Sequence, residues 1–250
     1  MISQPVLYSE WTKIRSVRSL VWSLVAGVAM LVVLGPVVCG AHGDGEAASA
    51  DFDPVKLGFW GLNFAQVAVA VFAMLSIGGE YETGTIRTSL AAVPQRGRFY
   101  VHKLLVAAGL SLAVAIPTAL LTFFLSQRLL DEHGVSFGDP GTVRAVICLA
   151  LYFPLLSLLF MGITAMFRSL VPAMGLLLPV LFLLSPLSMQ VPGLREVVQF
   201  LPDRAGQYAA MTLRPDADVS YTAWLGLPIM AAWTAVAVFG GWRVLRSHDA

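Results

Sequence analysis

Six stretches of the chain are free of Asp, Glu, Lys and Arg over lengths that suit a lipid bilayer: 19–43, 57–79, 104–127, 145–167, 169–193 and 219–242. A hydrocarbon core of about 30 Å needs about 20 apolar residues of helix, each rising about 1.5 Å. Lipid offers no partner to a backbone N–H or C=O. Each run therefore predicts a helix whose bonds close internally, tilted where the run exceeds the membrane. The pattern predicts an all-α integral membrane protein with six transmembrane helices and both termini on one side. The first run follows a polar lead of 18 residues. It is far longer than the roughly 7 to 15 apolar residues of a signal peptide, so it reads as a retained span.

Three segments outside the spans carry patterns of their own. In residues 1–18, Leu7, Trp11 and Ile14 share a helical stripe while Ser9, Lys13 and Ser16 face away. That predicts an amphipathic helix on the membrane surface, with Trp11 at headgroup level and Lys13, Arg15 and Arg18 near anionic lipid. A basic amphipathic helix reads equally well as a plain anchor or a partner-binding element. In 80–103, Thr83 and Gly84 precede Ile86, Leu90 and Val93 on one stripe, and Pro94 closes it. Thr at a helix start satisfies free N–H groups, and the residue before Pro leaves the helical region. A short helix is predicted there, with Arg96, Arg98 and Lys103 holding the third span's end at the headgroups. This connection has 24 residues, where about 2 to 8 join helices in bundles. Long loops commonly carry function, and a loosely docked surface helix is the plainer alternative. In the loop 190–222, Leu194, Val197, Val198 and Leu201 fall at helical spacing before Pro202, too few to cross. Arg195, Glu196 and Asp203 keep its polar side at the interface.

Composition agrees with lipid as solvent: 57% of residues are hydrophobic and 12% charged, where soluble domains carry about 25% charged residues. The net charge of +1 hides two unlike faces. Ten of the 16 Lys and Arg, but four of the 15 Asp and Glu, lie on the side of the termini. The bias makes that side, with the segment 80–103, cytoplasmic. A multi-pass plasma-membrane protein follows, with lipid as a partner and no nucleic acid. The two cysteines, Cys39 and Cys148, form no C-x-x-C pair and read as buried thiols.

The chain holds no phosphate loop of the G-x-x-x-x-G-K-[ST] type, so it cannot cradle ATP by that route. Apart from His42 at an outer margin, the six runs contain no ionisable Asp, Glu, His, Lys or Arg. That weighs against coupling to an ion gradient, and against an intramembrane hydrolase, whose serine would lack a base. Asn63 and Gln66, three apart on the second span, either line a polar path or bond to neighbouring helices; Thr118 and Thr122 on the third follow the same logic. Pro36, Pro117, Pro154, Pro179, Pro186 and Pro228 interrupt spans and permit kinks. The small Ala231 and Ala235 would let a helix approach the last span closely.

The blocks SEWTKIRSVRSLVWSL (9–24), GEYETGTIRTSL (79–90) and PQRGRF (94–99), with Lys103, resemble the permease subunits of ABC type-2 exporters in their actinobacterial form. The resemblance covers the chain in span count and is specific at these blocks. It implies that the helix between the second and third spans couples to a separate ABC ATPase subunit, through Glu80, Glu82, Gly84, Thr85, Arg87 and Arg96. It also implies a dimer with a second permease copy or paralogue. No cofactor then sits in this chain, ATP being bound by the partner. The outer helices would dip partly into the outer leaflet; the mostly apolar spans, for their part, suit a hydrophobic or amphipathic compound as cargo. The rival within the same class of contacts is a membrane-anchored sensory or assembly subunit that moves nothing.

Overall fold

The structure is a computed structural model that describes residues 4–46, 52–86, 88, 95–188, 191, 193–212 and 219–247. Among the described residues, five helices are long and apolar enough to cross a membrane: α2 (Arg18–Glu46), α4 (Leu62–Glu82), α5 (Arg96–Leu130), α6 (Thr142–Phe167) and α10 (Ala223–Ser247). The remaining run is helical over its described residues 170–188. Helix α7 (Leu170–Pro179) widens into a π-helical turn at Val180–Leu184 and continues in an α turn, Ser185–Ser188. Its length is roughly 28 Å at about 1.5 Å per residue, close to the hydrocarbon thickness. The widened turn lies between Pro179 and Pro186, each of which removes a backbone donor from the ladder. Pro36, Pro117, Pro154 and Pro228 lie inside otherwise continuous α-helices.

Short elements sit at the two ends of this bundle: α1 (Gln4–Ser16) on one, α3 (Pro54–Gly58), α8 (Arg195–Val198) and α9 (Pro202–Ala209) on the other. We use inner and outer for the ends that the Lys and Arg bias separates. Helix α6 is the most buried of the five long helices and packs against α4, α5, α9 and α10, while α2 packs against α4 and α5. Counting the α7 run, successive apolar runs alternate in direction, which leaves α6 and α10 parallel, so bonds between distant residues join like ends. At the inner end Arg96 Nη1 donates to the Leu245 carbonyl at 3.4 Å. At the outer end the Arg144 guanidinium donates to the carbonyls of Ala209 and Met211, both at 2.6 Å, closing the C-terminus of α9. Cys39 and Cys148 are free thiols and buried.

The buried face of α10 runs through Gly226, Met230, Thr234, Ala237, Gly241 and Leu245. Ala231 and Ala235, the small residues singled out for close approach, are exposed. Within this chain the close approach belongs to the neighbouring stripe, where Ala237 and Gly241 meet Gly162 of α6.

Candidate functional site

At the inner end the third helix begins at Arg96, eight residues before the apolar run, so the polar stretch 96–103 forms its first two turns. Lys103 therefore points into the bundle. It is 3% exposed, with Nζ 2.8 Å from Glu80 Oε1 and 3.2 Å from the Ser76 carbonyl. Glu80, on the last turn of α4, is 2% exposed. Lys13 of α1 donates to the same carboxylate oxygen. One acid thus ties α1, α4 and α5 together, beside a cavity of about 390 Å³ lined by residues of α1, α2, α4 and α5. Two expectations are corrected by this. Lys103 turns into the bundle rather than outward, drawn by an acid that lipid would leave unpaired, while Lys13, its side chain 35% exposed, reaches the same acid from the surface. Glu80, grouped with the coupling residues, is buried and cannot offer its side chain to a partner's surface.

The other residues of that group lie just beyond. Thr83 closes the C-terminus of α4, its hydroxyl donating to the Gly79 carbonyl at 2.8 Å, and helical backbone resumes after Gly84 at Thr85 and Ile86. Gly84 follows with φ +68, a left-handed turn in which a Cβ would be strained. Thr85 is exposed, its hydroxyl 2.8 Å from that of Thr83. Glu82 is exposed and reaches the start of α7, accepting from Ser169 Oγ at 2.8 Å and the Leu170 N–H at 3.0 Å. It thereby serves as the α7 cap, satisfying one of the donors a helix start leaves open. Arg87 and the stripe residues Leu90 and Val93 lie outside the described residues. On α1, Ile14 is buried while Trp11 is 46% exposed, so the stripe splits, Ile14 facing the bundle and Trp11 the outside.

A second polar assembly occupies the outer half. Gln66 of α4 is 1% exposed. Its Oε1 accepts from the Tyr152 hydroxyl at 2.6 Å and from Gln207 Nε2 at 2.9 Å. The chain continues from Gln207 Oε1 to Arg204 Nη1 at 3.2 Å, and from Arg204 Nε to Ser185 Oγ at 2.8 Å. Asp203 lies 3.4 Å from Arg204 Nε and accepts from the Ser185 hydroxyl. Burial pushes the Asp203 carboxyl above its ordinary range, against the pull of Ser185 and Arg204. This network joins α4, α6, the end of the α7 run and α9. Asn63, by contrast, donates to the Trp60 carbonyl at 3.1 Å and lines an outer cavity. Thr118 bonds to its own helix at Val114, and Thr122 is fully buried. Gln66 Nε2 donates to the Asn63 carbonyl one turn back at 3.4 Å, while its Oε1 serves residues of α6 and α9, the interhelical bonding that the sequence offered as one alternative.

Interhelical hydrogen bonds in membranes contribute about 0.6 kcal/mol on average, and a buried polar group left without its partner costs about 1–3 kcal/mol. Tyr152→Phe removes one donor and is expected to cost about 0.6 kcal/mol. Gln66→Leu strands both Tyr152 and Gln207 and is expected to cost about 1–3 kcal/mol. Unfolding in mixed micelles measures both; equal, small losses would show that Gln66 does not hold α9 in place.

These features define a class first: an α-helical, multi-pass membrane protein whose polar contacts gather at the two ends of an apolar bundle. The chain belongs to the ABC-2 family of transporter proteins, whose family model, ABC-2 family transporter protein, matches residues 6–186. It is a membrane permease component of an ABC transporter. The match runs from α1 through the α7 segment and so contains the whole Glu80 joint, whereas α8 to α10 lie beyond it. A comparison with curated proteins finds no match.

Proposed function

We propose that this permease is the transmembrane subunit of an ATP-driven exporter, carrying a hydrophobic or amphipathic compound outward with a separate ATPase subunit on its inner side. It would work with a second copy or a paralogue. The observation that carries this reading is the buried joint at Glu80. A force applied at the turn after Glu82 reaches α4 directly, and the shared carboxylate passes it to α5 and α1, because separating a buried ion pair leaves charges unpaired in a medium of low dielectric. Glu82 extends the connection to α7, and Arg96 to the end of α10. The second and third spans then move as one lever. Exposed Glu82, Thr85 and the Gly84 turn, with Arg87 and Arg96, are the residues we assign to contact with the ATPase.

Glu82→Ala combined with Arg87→Ala is expected to lower substrate-stimulated ATPase turnover of the copurified complex several-fold while the permease still inserts in the membrane. Glu82→Gln, which keeps an acceptor for the α7 start, separates capping from coupling. Turnover unchanged in the double variant would count against the assignment. ATPase binding without substrate-dependent flux in vesicles would favour the sensory or assembly role.

A further inference from the structure

At the outer end, away from the Glu80 joint, a cavity of about 250 Å³ opens between α3, the start of α4 and α9. Trp60 and Met211 give it apolar walls, and Lys56, Asn63, Arg204 and Gln207 give it polar ones; none of its lining residues is acidic. Lys56 is exposed at its rim. Asp53, three residues before Lys56, is committed elsewhere: it caps α3 through the N–H groups of Val55 and Lys56 and holds Thr212 through N and Oγ1.

Arg204 carries the second observation. Its Nε is taken by Ser185, with the Asp203 carboxylate 3.4 Å away, and its Nη1 by Gln207, but Nη2 is buried without an acceptor. A buried donor in that state costs about 1–3 kcal/mol, and more when it is charged. An acceptor entering beside Arg204 would supply the missing partner. Two cations around a volume of this size suit a group with several charged oxygens in fixed geometry, which guanidinium and ammonium donors recognise in phosphate. From the rim an aromatic strip leads along the outside of the bundle. The Trp60 and Phe64 rings lie 5.5 Å apart and those of Phe64 and Phe182 5.8 Å apart, with Phe182 46% exposed. Trp at this level marks a membrane interface, and the strip offers an apolar chain a place below it.

We propose that this cavity binds the phosphate headgroup of an anionic membrane amphiphile, Lys56 and Arg204 taking its oxygens and the Trp60–Phe64–Phe182 strip taking its chain. The occupant bridges α3 and the start of α4 to α9, and it does so whether or not the subunit transports, so binding is measured without an ATPase.

The test titrates the purified full chain in neutral detergent with phosphatidylglycerol, phosphatidylcholine or inorganic phosphate. Bound lipid is counted by native mass spectrometry, and thermal unfolding is followed alongside. Phosphatidylglycerol is expected to bind and raise the unfolding midpoint, with phosphatidylcholine about tenfold weaker and inorganic phosphate without effect. Lys56→Gln, at an exposed position, is expected to weaken phosphatidylglycerol binding several-fold and leave the lipid-free midpoint unchanged. Arg204→Gln should abolish binding, and Arg128→Gln, an exposed outer cation away from the cavity, should not alter it. Wild-type binding by Lys56→Gln, an equal loss in Arg128→Gln, or protection by inorganic phosphate matching that of the lipid would overturn the proposal.

Discussion

Lys103→Met is expected to cost the folded protein about 3–5 kcal/mol, the loss typical of removing one partner from a buried ion pair. Lys103 and Glu80 are 3% and 2% exposed, so the abandoned carboxylate cannot turn to water. Lys13 still reaches it, but from a side chain 35% exposed, which places the loss toward the lower bound. Glu80→Gln in the same chain removes the stranded charge and should recover part of the stability. The double variant should therefore exceed the sum of the single ones by more than about 1 kcal/mol, the signature of residues in direct contact. Arg98→Met, an exposed cation on the preceding turn of α5, should change stability by less than about 0.5 kcal/mol. Unfolding of the detergent-solubilised protein, followed by tryptophan fluorescence, decides the matter. If Lys103→Met and Arg98→Met unfold alike, Glu80 does not hold α4 to α5, and the lever loses its joint.

That joint was half visible in the sequence. The apolar runs were legible because lipid fixes a helix's length, and freedom from charge marks the part that lipid can cover. Charge-free length is not helix length, however. Arg96, Arg98, His102 and Lys103 continue the helical backbone ahead of the charge-free stretch, so α5 starts eight residues before its apolar run. A further signal went unused. Glu80 directly follows the second run and Lys103 directly precedes the third, so two consecutive antiparallel spans place an acid and a base at one depth. Counting charge by side showed that both were inner; only depth showed that they meet. The partners of Gln66 had no such signal, since Gln207 lies 141 residues away on a short helix beyond the fifth span, and separation along the chain says nothing about which helix faces which. The widened turn in α7 was legible only as an interruption at Pro179 and Pro186, because missing donors weaken a ladder without dictating how it repairs itself.

Glycine decides the packing at the centre of the bundle, and its replacement there has the second large expected effect. A Cβ at Gly162 of α6 would lie 2.5 Å from the Ala237 carbonyl carbon, 2.7 Å from the Ala237 oxygen and 2.7 Å from the Val238 nitrogen. All three are backbone atoms of α10, so no side chain can rotate to make room and the whole helix must retreat. One at Gly241 would meet the Gly162 carbonyl at 2.7 Å, so the two glycines face each other across the same contact. Small residues permit such approach in membranes, where dispersion between close backbones replaces the hydrophobic drive that lipid cancels. Gly162→Ala is expected to cost about 1–3 kcal/mol through overpacking, and Gly162→Leu to prevent α10 from docking. Gly109→Ala on α5, where nothing lies within 4 Å of the added atom, is the control; it should be neutral or stabilise by up to about 1 kcal/mol through helix propensity. Because α9 packs on both α6 and α10, a retreat of α10 also loosens the seat of Gln207 and Arg204. Gly162→Ala should therefore weaken the stability effect of Gln66→Leu, whose partners would already be displaced. Strict additivity of Gly162→Ala and Gln66→Leu, measured in mixed-micelle unfolding, would show that the central contact and the outer network are mechanically separate.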